Sequence, residues 1–89
     1  MITVTGGKPN QRKYVESIAY FCIKTLMPRM CTLNVTIKLK SLNNAMGYCL
    51  ETDDKRTFEL EVDRKLTLRK LLETVAHEMV HVKQFARRE

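Results

Sequence analysis

The sequence predicts an α+β domain with the element order β-α-β-β-β-α, in which a small, mostly antiparallel sheet is packed by two helices. Two observations carry this. Leu33, Val35, Ile37 and Leu39 alternate without a fault with Asn34, Thr36, Lys38 and Lys40, and Phe58, Leu60 and Val62 alternate with Glu59, Glu61 and Asp63, the period of half-buried strands. Two longer stretches, one near each end of the chain, instead repeat their apolar residues every three or four positions, the period of an amphipathic helix.

In chain order, Ile2 to Val4 is a short strand closed by the turn-prone Gly6-Gly7. A helix runs from Asn10, its N-cap, to about Met27, with Tyr14, Val15, Ile18, Ala19, Cys22 and Leu26 facing inward; Pro28 stops it because the residue before a proline avoids the α region. The strand Leu33–Lys40 is followed by a loop at Ser41 to Asn44. Strands Met46–Glu51 and Arg56–Val62 flank the polar turn Thr52 to Lys55. Thr67 caps the last helix, with Leu66 packing on Leu71 as a hydrophobic staple. Its apolar stripe is Leu68, Leu72, Val75, Met79, Val82 and Ala86.

Composition bounds what such a chain can be. The 89 residues make one domain, near the lower end of what a single core stabilises unaided, and 44% hydrophobic with 29% charged residues is ordinary for a soluble globular protein. No stretch approaches the roughly 18 apolar residues of a membrane span, and no signal peptide is evident, so the expected compartment is the cytoplasm. Cys22, Cys31 and Cys49 are odd in number and lack C-x-x-C spacing, which fits free thiols in a reducing environment better than disulfides or a thiolate zinc site. The net charge of +6 is compatible with a nucleic-acid partner, but a solvated basic face is the simpler reading.

One short run specifies a chemistry. His77-Glu78-Met79-Val80-His81 places two imidazoles four residues apart, one turn up the same helix face, so that both can donate a nitrogen to one Zn²⁺ at about 2.0–2.1 Å. Glu78, one step round the helix, then reaches a zinc-activated water and acts as general base instead of ligand. For a chain with two His and seven Glu, coincidence produces this arrangement at roughly one or two in a thousand. Both His fall roughly opposite the apolar stripe, which argues against core histidines.

The run from Leu71 to Glu89, LLETVAHEMVHVKQFARRE, resembles the active-site helix of SprT-like zinc metallopeptidases, particularly the small forms of bacterial and phage genomes, most closely from Val75 to Ala86. Gly47-Tyr48-Cys49 and the run Arg56 to Asp63 resemble the strands preceding that helix. The resemblance implies a zincin-like, gluzincin-like fold with a backing helix and an active-site helix, a protein or peptide substrate, and His77, His81 and Glu78 in the roles derived above. It also raises the weight of a DNA-associated partner, since some relatives act on proteins bound to DNA.

The same resemblance implies a third protein ligand, His or Glu, well after the helix, yet the chain ends eight residues beyond His81. Glu89 lies about 12 Å along the helix axis, too far to share the ion. Arg87 stands where a metzincin-type motif places its third His. Cys49, Asp53 and Asp54 serve only if the fold brings them over. The expectation is therefore a truncated domain with weak zinc binding and little activity. Tyr48 is a candidate substrate contact, although packing is the commoner role of a strand tyrosine. Gly47 marks a bulge, a close backbone approach or a plain turn. Arg64, Lys65, Arg69 and Lys70 form a basic group, and Lys70 and Arg88 share the helical phase of the His pair, making them candidate nucleic-acid or partner contacts on a positive rim. The competing reading is a non-catalytic basic module that binds nucleic acid or a protein and keeps the motif as a relic or structural metal site.

Overall fold

The computed structural model describes residues 1–26, 33–43, 45–52 and 56–86, leaving aside the Glu51 side chain. Its elements are β1 (Ile2–Gly6), α1 (Pro9–Leu26), β2 (Asn34–Lys40), β3 (Gly47–Glu51), β4 (Thr57–Asp63) and α2 (Leu68–Ala86), in the order read from the sequence.

The sheet is mixed, not mostly antiparallel as the sequence reading held. Its order is β1-β2-β4-β3; β1 pairs parallel with β2, β2 parallel with β4, and only β3 runs antiparallel, beside β4. The error has a physical source. Alternation reports that one face of a strand is buried but says nothing about its neighbour's direction. A parallel pair needs a long crossover, which α1 provides between β1 and β2, whereas the β3–β4 hairpin needs only its short polar turn. Thr52 Oγ1 donates to Thr57 O at 2.8 Å across the hairpin's base, and the turn residues Asp53 to Lys55 lie outside the described residues.

Both helices cover one sheet face. α1 packs on β1 and α2, and α2 packs on β3 and β4. Val35, Ile37 and Leu39 of β2 and Phe58, Leu60 and Val62 of β4 point into this layer, meeting Val15, Ala19 and Cys22 of α1 and Leu71, Val75, Met79 and Val82 of α2. The opposite sheet face is polar, with cross-strand pairs Lys38–Glu59 and Lys40–Glu61. Among the described residues, no helix is long and apolar enough to cross a membrane.

Tyr14, expected on the inner side of α1, is 48% exposed. That helix also starts one residue before the expected Asn10 cap. Pro9 occupies the first helical position, and the Gln11 side chain returns to accept from Lys8 N–H at 2.7 Å, so Lys8 is the cap. The expected stop at Pro28 lies outside the described residues. Thr67 does cap α2: its Oγ1 accepts from Lys70 N–H at 3.3 Å.

The apolar stripe assigned to α2 needs a larger correction. Leu68 is 39% exposed and Leu72 only partly buried, while Leu71, Thr74, Val75, Glu78, Met79 and Val82 form the buried face. At about 100° per residue the helix is rolled roughly 50° from the expected phase, towards Glu78.

Candidate functional site

The roll of α2 follows from a glycine. Gly47 opens the edge strand β3, and a Cβ there would lie 2.9 Å from Thr74 Cγ2, 3.1 Å from Glu61 O and 3.6 Å from Glu78 Cγ. With no side chain on Gly47, the turn of α2 bearing Thr74 and Glu78 can approach the strand backbone closely. The close backbone approach is thus the role that Gly47 takes, out of the alternatives its sequence left open. Thr74 is satisfied locally, donating from Oγ1 to Lys70 O at 2.8 Å.

Glu78 is only 8% exposed and is the one charged residue on the buried face of α2, beside Leu71, Thr74, Val75, Met79 and Val82. No hydrogen-bond or ion-pair partner holds its carboxylate among the described residues, and no enclosed side-chain polar atom there lacks a partner. The carboxylate therefore opens into the clefts it lines. One, of about 390 Å³, is walled by Met46, Gly47, Lys70, Glu73, Thr74, His77 and Glu78. The other, of about 340 Å³, is walled by Gly47, Tyr48, Cys49, Glu78, His81 and Phe85. Gly47 and Glu78 belong to both, so the two clefts meet where the edge strand crosses the helix. Both volumes lie at the small end of the range for ligand sites.

His77 is exposed and His81 half-buried on the next turn. Their ring centroids are 5.1 Å apart, with planes at 83°. This separation can be tested against a shared ion. A zinc–nitrogen bond of about 2.0–2.1 Å plus about 1.1 Å from nitrogen to ring centre puts each centroid about 3.1–3.2 Å from the metal, and a tetrahedral angle then separates the centroids by about 5.1–5.2 Å. The observed centroid separation matches that spacing. His81 Nδ1 lies 3.2 Å from Gln84 Oε1, which leaves its Nε2 free.

Among the described residues, no group of three or more His, Cys, Asp or Glu is placed to hold a metal ion. Cys49 is brought to the cleft that holds His81 and Glu78, closer to the motif than its sequence position indicates, but without completing such a group. Asp53, Asp54, Arg87, Arg88 and Glu89 lie outside the described residues. Burial pushes the Cys22 thiol above its ordinary range, as befits a core residue of α1.

Tyr48 pairs in register with Glu61, so its side chain belongs to the polar sheet face, away from α2, although the residue borders the second cleft. Lys70 does line the first cleft, but Glu73 stands beside it, 3.6 Å from Lys70 Nζ and 3.3 Å from Arg69 Nε. The positive rim is offset on that side. The residues that sequence reading did not single out are Thr74, Glu73, Met46, Phe85 and Gln84. Helical spacing signals Thr74 and Gln84, four before Glu78 and three after His81; Met46 reaches the cleft only through strand pairing.

These features define a small α+β domain with a mixed four-stranded sheet and a helix-borne His-Glu-x-x-His motif against the sheet edge. Comparison with protein-family models, curated proteins and solved structures found no match to this chain.

Proposed function

We propose that this chain is a zinc-dependent peptidase domain of zincin-like type, with His77 and His81 as metal ligands and Glu78 as general base. The observation that carries the reading is the Glu78 carboxylate: mostly buried, without a partner among the described residues, and opening into two clefts beside an imidazole pair spaced for one ion. A carboxylate serving only solubility would sit on the outer side of the helix, and one serving only packing would be paired.

A bound zinc supplies Lewis-acid polarisation and brings the ionisation of water towards neutral pH. His77 and His81 would hold it through neutral ring nitrogens. Glu78 takes a proton from the attacking water onto its carboxylate and hands it to the departing amine nitrogen. β3, whose outer edge has no strand partner among the described residues, offers backbone groups to an extended peptide laid along the clefts. With two imidazoles as the protein ligands among the described residues, the proposal includes weak metal retention.

Zinc content and peptidase activity together test this. In zinc titrations carried to saturation H81A loses zinc binding, whereas E78Q binds zinc as wild type does and, at saturating zinc, loses peptide hydrolysis by several orders of magnitude. Unchanged zinc in H81A, or turnover retained in E78Q, would refute the assignment.

A further inference from the structure

We propose that Gln84 is a positioning residue for the metal site: it sets the tautomer of His81 and so directs Nε2 to the ion. The proposal rests on the reading of His77 and His81 as ligands and adds a residue which that reading does not contain.

Helical side chains lean towards the N-terminus, so the His81 ring lies over the turn of His77 and the Gln84 amide over the turn of His81. The imidazole is bracketed, with His77 5.1 Å away between centroids on one side and Gln84 Oε1 3.2 Å from Nδ1 on the other. With the Gln84 amide oxygen facing Nδ1, the contact is a hydrogen bond when Nδ1 carries the proton, and the neutral ring's lone pair then resides on Nε2. Free imidazole side chains favour the opposite tautomer, with the proton on Nε2, where it would block the metal. Gln84 opposes that preference and holds the ring against rotation, the role that outer partners play for metal-ligating histidines.

The anchorage for this contact is built in. The next residue, Phe85, stacks on Phe58 of β4 with ring centroids 6.5 Å apart and planes at 17°, tying the last turn of α2 to the sheet. Gln84 itself is exposed, so its side chain is not part of the core and its replacement leaves the fold intact. His77 has no corresponding hydrogen bond among the described residues, which makes His81 the better-ordered ligand of the two.

Calorimetric zinc titration of the full chain, with wild type, Q84L and Q84E compared, tests the role. Q84L, which keeps bulk but loses the acceptor, is expected to bind zinc 10–100-fold more weakly at an unchanged melting temperature. Q84E, which keeps an acceptor at the same reach, retains wild-type affinity within a few-fold. Long-range ¹H–¹⁵N correlation spectra of the zinc-free protein at pH 8 should show His81 protonated on Nδ1 in wild type and shifted towards Nε2–H in Q84L. Equal zinc affinity in Q84L and wild type, or a wild-type His81 already in the Nε2–H form, would overturn the proposal. A wild type that binds no zinc at all would overturn the metal reading itself, and the metal-free tautomer measurement would still decide whether Gln84 sets the ring.

Discussion

Replacing Gly47 by Ala tests the junction on which both clefts depend. The added methyl would stand 2.9 Å from Thr74 Cγ2, 3.1 Å from Glu61 O and 3.6 Å from Glu78 Cγ. The first two are tighter than ordinary carbon contacts, and the second involves sheet backbone that cannot swing aside. Overpacking costs about 1–3 kcal/mol, and two simultaneous close contacts, one of them to backbone, put this site at about 2–3 kcal/mol; the reduced freedom of the unfolded chain returns about 0.5–1 kcal/mol, leaving a net loss of about 1–2.5 kcal/mol. For a domain of this size that lowers the melting temperature by about 5–15 °C, measurable by circular dichroism. The structure also names the relief. T74S removes the Cγ2 methyl yet keeps the hydroxyl that donates to Lys70 O. G47A/T74S should therefore recover part of the loss, with a coupling of about 1 kcal/mol in the double-mutant cycle, while the Glu61 contact keeps recovery incomplete. A G47A protein as stable as wild type, or strictly additive effects of the two changes, would refute the close-approach argument.

Three further outcomes follow from the packing and the site. L71A should cost about 2–5 kcal/mol in urea unfolding and L68A less than about 0.5, because Leu71 is fully buried and Leu68 is 39% exposed; equal losses would return α2 to the phase its sequence pattern implies. The raised Cys22 thiol means that the unfolded chain releases its proton before the folded chain does, so this contribution to stability is intact below the ordinary thiol range and declines as pH rises through it. Urea stability should accordingly drop more between pH 8 and pH 10 in wild type than in C22A. C49S should bind zinc within about twofold of wild type by calorimetry, since Cys49 lines the cleft without forming a three-residue metal group; a loss near 100-fold would make it the third ligand.

The sequence by itself determined the order and near-boundaries of all six elements, because alternation and helical periodicity are local consequences of which face a segment buries. It also determined the pairing of His77 with His81, since four residues on a helix bring two side chains together whatever the helix packs against. Strand direction was not legible: a half-buried strand reads the same beside a parallel or an antiparallel neighbour, and only the tertiary path, α1 crossing between β1 and β2 and β3 reversing at the sheet edge before β4, made β1, β2 and β4 parallel. Nor was the roll of α2. A pattern that counts Glu78 as polar turns it away from the core, but the site depends on its being turned in. That decision belonged to a contact between residues far apart in the chain, Gly47 against Thr74 and Glu78, where the absence of one side chain on the edge strand left room for a carboxylate that no local pattern would bury.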